Sequence, residues 1–289
     1  MPSTGSKRPQ KPVDISEFAK AIRLDCLRLT SISKASHIGS ALSVTDILAT
    51  IYSNPLRIEK IRQLDPNRDI IILSKGHAAV AQYSALKRVA VDSWSEFFDL
   101  DSFYQSGSLF IGHPNSQITG VEWSTGALGH GLPVAVGMAL GKRLKGLTGE
   151  VVCICSDGEL NEGSNWEALM LAAQLKLKNL LLIIDYNGIQ SFGKVKDILD
   201  LEPISEKFQS FNFQTTVIDG HNFEELDVAI NQNSYSGPRV IIANTIKGSG
   251  VSEMEDTLDW HYRSPSSDKL DSYIKEVSGS AGNFCKESN

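Results

Sequence analysis

Five short strand-like runs, most of them nearly continuously apolar, alternate with longer stretches of helical periodicity, and this alternation is what most constrains the fold of the 289-residue chain. The runs lie at residues 69–74, 151–156, 180–186, 214–218 and 239–244. Strands that are covered by helices on both faces are apolar along most of their length rather than at alternate positions. The pattern therefore predicts an α/β domain with a parallel sheet flanked by helices on both faces.

The helical stretches also indicate where individual helices begin. Residues 15–33 carry apolar side chains at helical spacing from Phe18 to Leu29. A second helix is predicted to begin at Ser43, with Asp46 in position for a capping box. Further helices are predicted near residues 76–90, 129–145, 163–177, 203–210 and 222–233.

The two ends of the chain differ in composition from the rest. Residues 1–13 are rich in Ser, Lys and Pro and are expected to form a flexible arm, and residues 279–289 are expected to form a flexible tail. Between them the sequence contains neither an internal repeat nor a linker. Residues 14–278 are therefore expected to form one domain.

The net charge, the hydropathy and the spacing of the cysteines argue against several classes of protein. The chain has 28 Lys and Arg against 34 Asp and Glu, a net charge of −6, with no basic run longer than Lys-Arg, which argues against a nucleic-acid partner. No stretch is apolar enough for a membrane span or a signal peptide, so we expect a cytoplasmic protein. The four cysteines lack zinc-finger spacing, and Cys153 and Cys155 are expected to be buried on one face of a strand.

Polar residues follow two of the predicted strands. Asp157, Gly158 and Glu159 come directly after residues 151–156, and Asn187-Gly188-Ile189 follows residues 180–186. The carboxyl ends of parallel strands meet at one edge of the sheet, where ligands bind. Mg²⁺ prefers oxygen ligands and often shares them with phosphates, and a glycine at a helix start lets a phosphate approach closely. The same segments are also typical of ordinary Asp-Gly and Asn-Gly turns, and spacing alone leaves both interpretations open.

Further motifs give the sequence a resemblance to the transketolase family of thiamine diphosphate enzymes. Asp-Gly-Glu-Leu-x-Glu-Gly followed by Asp-Tyr-Asn is similar to the thiamine diphosphate motif in its transketolase form. Four upstream segments also resemble the family, in the family's order: Ala35-Ser-His-Ile-Gly-Ser40, Leu73-Ser-Lys-Gly-His-Ala78, Gly112-His-Pro114 and Thr125-Gly-Ala-Leu-Gly129. Residues 245–251 and 259–261 are similar to the form of the family that is split over two chains.

The resemblance implies a thiamine-diphosphate-binding fold and the role of the N-terminal subunit of a split transketolase. Such an enzyme transfers a two-carbon ketol unit from a ketose donor to an aldose acceptor. Asp157, Asn187 and the carbonyl of Ile189 would hold Mg²⁺, or another divalent cation such as Ca²⁺ or Mn²⁺.

The resemblance also assigns contacts to the cofactor and to the substrate. Gly158, His77 and His261 would contact the diphosphate; Glu159 and Asn187 are further cofactor contacts, and Gly126, Ala127 and Leu128 would line the aminopyrimidine and thiazolium rings. His37 and His113 would face the substrate hydroxyls, with His77 and His261 nearby. Imidazoles with near-neutral pKa values suit such proton transfers, although any one of these histidines taken alone is also typical of a hydrogen-bonded structural residue.

Some positions depart from the family or keep two interpretations. Ser156 replaces the usual Gly and His130 the usual Gln. Glu162 and Glu167 match acidic positions of the family that take part in contacts between active-site halves, but Ser164 to Glu167 is also typical of a capping box. His221 is predicted to lie in a loop before a helix capped by Asn222, without a chemical role.

The resemblance covers only the first domain of long transketolases. It therefore implies a partner, a C-terminal transketolase subunit with the pyrimidine-binding domain, in an α2β2 assembly that acts on sugars or sugar phosphates.

Other functions share part of the pattern. A 2-oxo-acid dehydrogenase α chain has the metal motif but does not need His37, His77 and His113. A deoxyxylulose-phosphate synthase shares more motifs but is normally one long chain. A nicotinamide oxidoreductase would need a different glycine order. A non-catalytic scaffold of this fold would not need the Asp157 and Asn187 pair.

Overall fold

The computed structural model describes residues 14–90, 98–232 and 236–279, and its core is a parallel sheet. The strands of the sheet are β1 (Ile70–Leu73), β2 (Val151–Ser156), β3 (Leu180–Tyr186), β6 (Gln214–Asp219) and β7 (Arg239–Asn244), and a separate antiparallel pair is formed by β4 (Ile189–Gln190) and β5 (Gly193–Lys194). The sheet has the order β1-β2-β3-β7-β6, and all neighbouring strands are parallel. The predicted fold class is confirmed, and each predicted strand is present to within one residue at either end.

The helices lie before, between and after the strands of the sheet. They are α1 (Ile15–Ser33), α2 (Ile38–Ser43), α3 (Thr45–Ser53), α4 (Pro55–Arg62), α5 (Ala79–Val89), α6 (Gly131–Leu144), α7 (Gly163–Gln174), α8 (Val195–Ile198), α9 (Ile204–Ser210), α10 (Phe223–Asn231) and α11 (Ser267–Gly279). Helix α1 begins after Asp14, whose carboxylate accepts the backbone N–H of Ser16 at 2.9 Å, as an N-cap residue does. Asn222 caps α10 in the same way, as predicted.

Helices cover both faces of the sheet, which explains why β1, β2, β3 and β7 are mostly apolar and buried, whereas the edge strand β6 is more polar and more exposed. Successive strand side chains point to opposite faces. Ile154 and Ile183 belong to a core that also contains α1, α3 and α5, whereas Cys153 and Cys155 belong to a second core with α6, α7 and α9. The sulfur atoms of the two cysteines lie 3.8 Å apart, so the prediction that they share one buried face is confirmed.

The predicted helix start at Ser43 is wrong. Ser43 is the last residue of α2, and its hydroxyl donates a hydrogen bond to the buried carboxylate of Asp185, 2.6 Å away. Asp46 does not form a capping box, because both of its carboxylate oxygens accept hydrogen bonds from Arg23 at 2.7 Å. The side chains of Ser43 and Asp46 therefore bond to residues elsewhere in the fold instead of capping a helix.

Three further predictions differ from the structure or lie outside it. The capping box at Ser164 is not formed, because α7 begins at Gly163 and the Ser164 hydroxyl donates to the carbonyl of Gly129 at 2.6 Å. Helices α2, α4, α8 and α11 were not predicted, and Gly279 ends α11 rather than beginning a tail. The arm at residues 1–13, residues 280–289 and position 233 lie outside the described residues. Across the described ranges, every helix is too short or too polar to traverse a bilayer.

The register of the sheet aligns the ends of three strands. Ser156 pairs with Asp185, and Asp185 pairs with Ala243. The segments that follow β2, β3 and β7 therefore leave the sheet side by side. This edge positions the candidate site.

Candidate functional site

A cleft at the carboxyl ends of the strands brings together most of the residues singled out in the sequence. Predicted site residues that line it are His37, His77, His113, Gly126, Leu128, Asp157, Gly158, Glu159, Asn187, Ile189 and His261. Ala127 is exposed and is not part of the lining. Residues separated by more than 200 positions in the chain thus meet at one edge of the sheet, as expected for a parallel α/β fold.

Asp157 joins the segments that follow β2 and β3. Its side chain accepts the backbone N–H of Gly158 at 2.7 Å and the N–H of Gly188. The residue is only 1% exposed, and this burial raises the pKa of Asp157 to about 6, with a smaller contribution from the carboxylate of Asp185. A cation beside Asp157 would favour its charged form.

Asn187 and Ile189 provide two further oxygens. The Asn187 amide nitrogen donates to the Ser43 hydroxyl at 3.0 Å, and its amide oxygen accepts the Ile189 N–H at 3.1 Å. The Ile189 carbonyl accepts the Lys247 ammonium at 2.9 Å, so this oxygen already faces a positive charge. A carboxylate, an amide oxygen and a carbonyl oxygen are the donors that fit Mg²⁺.

The described residues contain no group of three or more His, Cys, Asp or Glu side chains arranged to hold a metal ion. A cation in the cleft would therefore depend on the amide and carbonyl oxygens as well as on Asp157. Mg²⁺ commonly binds in this way, with one or two carboxylates supplemented by water and substrate phosphate. The donor set thus fits a magnesium ion that is shared with a phosphate group.

Two buried lysines in the cleft were missed in the sequence. Lys75 donates to the carboxylate of Asp185 and to the carbonyl of Ser40, the latter at 3.2 Å. Lys247 lies with its ammonium 3.0 Å from Nδ1 of His261. Burial, with the charge of Lys75, lowers the pKa of Lys247 to about 8. Both lysines stand inside motifs that the resemblance had already drawn attention to, and together they make the cleft suited to an anion.

Asp185 was also missed, and it connects several segments below the cleft. Its fully buried carboxylate accepts hydrogen bonds from Ser43, Lys75 and Thr245. These partners come from α2, from the segment after β1 and from the segment after β7. Asp185 therefore fixes the positions of three parts of the lining.

Glu159 holds the segment before α6. Its fully buried carboxylate accepts the hydroxyl of Ser74 and the backbone N–H of Gly129, the latter at 3.0 Å. Burial raises the pKa of Glu159. Glu159 lines the cleft as predicted for a cofactor contact, while its oxygens bond to protein groups.

Three of the predicted histidines form a cluster on one side of the cleft. The ring centroids of His37 and His261 are 4.8 Å apart, those of His37 and His77 5.3 Å, and those of His77 and His261 5.9 Å. His37 has a left-handed backbone with φ of 73°, and its N–H donates to the His261 carbonyl at 3.0 Å.

Burial holds these imidazoles neutral. It lowers the pKa of His37 to about 4 and that of His261 to about 3, with the ammonium groups of Lys75 and Lys247 adding to the effect. Burial also lowers the pKa values of His77 and His113. At neutral pH these side chains are therefore unprotonated.

Gly126 places His113 beside the cleft. With φ of +150°, it has a conformation that favours glycine. A Cβ atom at this position would lie only 2.9 Å from Cδ2 of His113. The glycine thus permits the close approach of the two segments.

Three of the other positions singled out in the sequence lie away from the cleft, and a fourth lines it. His130, Glu162 and Glu167 are exposed and are not part of its lining. Ser156 lines the cleft, and its hydroxyl accepts the N–H of Glu159 at 3.3 Å.

Comparisons of the chain with known proteins all indicate the same family. A family model described as "Transketolase, thiamine diphosphate binding domain" matches residues 15–279. One of the subunits of the apulose-4-phosphate transketolase of Actinobacillus succinogenes is 38% identical over 269 residues, which cover 91% of this chain and 96% of that protein. The SqwG subunit of the 6-deoxy-6-sulfo-D-fructose transketolase of Clostridium sp. (strain MSTE9) is 35% identical over 257 residues, which cover 87% of this chain and 92% of that protein.

Solved structures of longer transketolases share the fold. The transketolase of Leishmania mexicana superposes with a TM-score of 0.80 at 27% identity and that of Campylobacter jejuni with 0.79 at 30% identity. The superposed regions cover 92% and 94% of this chain but only 41% and 43% of those chains. The chain belongs to the transketolase family, in which it corresponds to the thiamine diphosphate-binding domain.

Proposed function

We propose that this chain is the diphosphate- and cation-binding subunit of a two-chain transketolase that transfers a two-carbon ketol unit from a ketose to an aldose. The observation that carries the proposal is the composition of the cleft. Oxygen donors suited to Mg²⁺ and two buried lysines lie beside a cluster of neutral histidines. When bound, thiamine diphosphate supplies the carbanion chemistry, and the protein supplies orientation and proton transfer.

In this proposal Asp157, Asn187 and the carbonyl of Ile189 hold Mg²⁺, or Ca²⁺ or Mn²⁺ in its place. A divalent cation offsets the cost of burying the Asp157 carboxylate. Gly158 allows the diphosphate to approach the backbone, and Lys247 contributes positive charge beside it. Gly126 and Leu128 would lie along the ring portion of the cofactor, whereas Ala127 between them is outside the lining of the cleft.

The histidines would handle the protons of the substrate. A ketose donor loses a hydroxyl proton when its carbon–carbon bond breaks, and an acceptor gains one in the reverse sense. His37 and His113 are the proposed partners of the substrate hydroxyls, with His77 and His261 next to the cofactor. Their lowered pKa values leave free base at neutral pH, which the first of these steps requires.

A second subunit would complete the site. The relatives named above are subunits of transketolases, which supports pairing with a C-terminal transketolase subunit in an α2β2 assembly. Leu128 lines the cleft and Phe192 follows a lining residue, yet the two side chains are 37% and 78% exposed. Reactive carbanion chemistry needs a dry, enclosed site, and a partner covering these apolar side chains would provide it.

The substrates we propose are sugars or sugar phosphates, in line with the substrates in the relatives' names. The net charge of −6 gives no support to a nucleic-acid partner. Free thiols at Cys26, Cys153 and Cys155 fit a reducing compartment and therefore a cytoplasmic enzyme.

Calorimetric titration with thiamine diphosphate, with and without Mg²⁺, tests the site. We expect Mg²⁺-dependent binding by the wild-type chain and none by Asp157→Ala. The matched control is Asp271→Ala, an exposed carboxylate on α11, which should bind as the wild type does. A non-catalytic scaffold would show no binding in any variant, and wild-type affinity in Asp157→Ala would contradict the assignment.

Measurements of turnover test whether a partner subunit is required. The chain purified alone, with cofactor and Mg²⁺ added, should not transfer a ketol unit, whereas the chain mixed with its C-terminal subunit should. Robust turnover by rigorously partner-free protein would overturn the two-chain proposal.

A further inference from the structure

A buried ionic network lies behind the cleft and outside the proposed machinery. Arg23 of α1 donates from Nη1 and Nη2 to the two carboxylate oxygens of Asp46 of α3, both at 2.7 Å. Nδ1 of His221, in the loop after β6, lies 2.7 Å from Oδ2 of the same carboxylate. The three residues are 2%, 1% and 8% exposed. Charged and polar groups buried in this way need partners, and here the Asp46 carboxylate is the partner of both Arg23 and His221.

The network extends to the segment that carries Lys247. Nε2 of His221 accepts the backbone N–H of Ile246 at 2.8 Å, and Nε of Arg23 donates to the carbonyl of Ser249 at 3.2 Å. These two bonds lie on either side of Lys247 in the chain. The backbone of the lysine is thus held from both sides by one buried cluster.

The hydrogen bonds specify one form of the imidazole. Because Nε2 accepts a hydrogen bond, the proton of neutral His221 is on Nδ1, which donates to Asp46. Burial opposes ionisation of Asp46, but the Arg23 guanidinium and the bond to His221 hold its pKa at about 2. An ionised carboxylate that orients an imidazole fixes both its tautomer and its position.

We propose that His221, oriented by Asp46, is a positioning residue that holds the backbone of Lys247 so that its ammonium reaches the Ile189 carbonyl and His261. The inference rests on the proposed function for its consequence, which is the affinity for thiamine diphosphate. Nζ of Lys247 lies 2.9 Å from the Ile189 oxygen and 3.0 Å from Nδ1 of His261. A small backbone displacement would move the ammonium away from both, and misplacements of about 1 Å are costly at active sites.

Two substitutions of His221 separate positioning from general stability. The side-chain amide of His221→Asn ends near the position of Nδ1, so it can donate to Asp46 but leaves the Ile246 N–H without its acceptor. The amide of His221→Gln ends near Nε2, so it can accept from Ile246 but gives up the donor to Asp46. Each variant loses one buried hydrogen bond, so we expect similar decreases in melting temperature.

Hydrogen exchange of the full chain without ligands measures the backbone directly. The Ile246 amide should exchange about tenfold faster in His221→Asn and within about threefold of wild type in His221→Gln, as the loss of one hydrogen bond predicts. Calorimetry with thiamine diphosphate and Mg²⁺ should show the same order, with affinity about tenfold weaker in His221→Asn and within about threefold in His221→Gln.

The possible results distinguish a failure of this inference from a failure of the proposed function. Equal exchange at Ile246 in the two variants would overturn the inference, as would faster exchange in His221→Asn with unchanged affinity. If the wild-type chain does not bind thiamine diphosphate at all, the proposed function fails, and the exchange measurement alone decides whether His221 holds the Lys247 backbone.

Discussion

Adding one methyl group at Gly158 should open the candidate metal site. An ideal Cβ built at Gly158 lies 2.7 Å from Cβ of Gln190, well below the 3.4 Å at which ordinary van der Waals contact begins. Gly158 follows Asp157, and Gln190 follows Ile189. In Gly158→Ala the two segments must therefore separate by roughly 0.7 Å to restore a normal contact, because the clashing atoms lie next to the backbone rather than at a flexible end.

The size of the effect follows from this displacement. Overpacking of a well-packed site costs about 1–3 kcal/mol, which for a chain of this length lowers the melting temperature by about 2–6 °C. The same movement separates Asp157 from Ile189, and Mg²⁺ demands nearly ideal octahedral distances of about 2.0–2.1 Å. We expect thiamine diphosphate affinity in the presence of Mg²⁺ to fall at least about tenfold.

Gly137→Ala is the matched control. Gly137 is an exposed residue within α6, and a Cβ there would meet no atom within 4 Å. Alanine in a helix interior is favoured over glycine by about 0.5–1 kcal/mol, so this variant should melt about 1–2 °C higher than wild type. Its affinity for thiamine diphosphate should be unchanged.

Differential scanning calorimetry of the wild type, Gly158→Ala and Gly137→Ala measures their melting temperatures, and isothermal titration calorimetry measures their affinities for thiamine diphosphate. We expect opposite shifts in melting temperature in the two variants and a loss of affinity in Gly158→Ala alone. If Gly158→Ala has the melting temperature of the wild type and binds thiamine diphosphate with Mg²⁺ equally tightly, the close approach to Gln190 does not constrain the site and the prediction is wrong.

Three other predictions concern the histidines and the core. His37→Ala and His113→Ala should keep cofactor affinity near wild type but lower turnover with the partner subunit by about 10²–10⁴-fold, and unchanged turnover would make both residues structural. The folded-state pKa of His37 is about 4, below its ordinary value of 6.5, so the unfolded chain binds more protons than the folded chain between these two pH values. The free energy of unfolding should therefore rise with pH from about 4 to 6.5. Urea denaturation of His37→Asn should show a smaller rise across the same window. Phe208→Ala removes a fully buried ring 6.1 Å from that of Trp166 and should cost about 3–5 kcal/mol by chemical denaturation; a cost below about 1 kcal/mol would contradict the packing of this core.

The fold was predictable because four of the five strands of this sheet are buried on both faces. A run such as residues 180–186 is apolar at every position but its last two, and few other structures accommodate this. Helix boundaries were less predictable. Ser43 and Asp46 have the chemistry of cap residues, but their partners are Asp185, Arg23 and His221, and two of these are more than 140 residues away in the chain. Local rules cannot anticipate such partners.

The candidate site was predictable only where a motif marked it. The motifs drew attention to the four histidines and to Asp157, but Lys75 and Lys247 were passed over although they stand within the same motifs. Their importance depends on strand order, because β7 lies next to β3 in the sheet although it comes after β6 in the chain. That arrangement brings residues 245–250 to the end of β3, and the sequence alone does not specify it.

The treatment of buried charge distinguishes Asp157 and Lys247 from the network behind the cleft. Asp46 is paired with Arg23 and its pKa is held at about 2, whereas burial brings the pKa of Asp157 to about 6 and that of Lys247 to about 8, each shifted towards its neutral form. Within the described residues, neither Asp157 nor Lys247 forms a salt bridge. Burying such charges without an ionic partner is unfavourable for the folded chain alone. A ligand that brings a divalent cation to the carboxylate and a diphosphate to the ammonium would satisfy both, which supports thiamine diphosphate with Mg²⁺ over a neutral ligand.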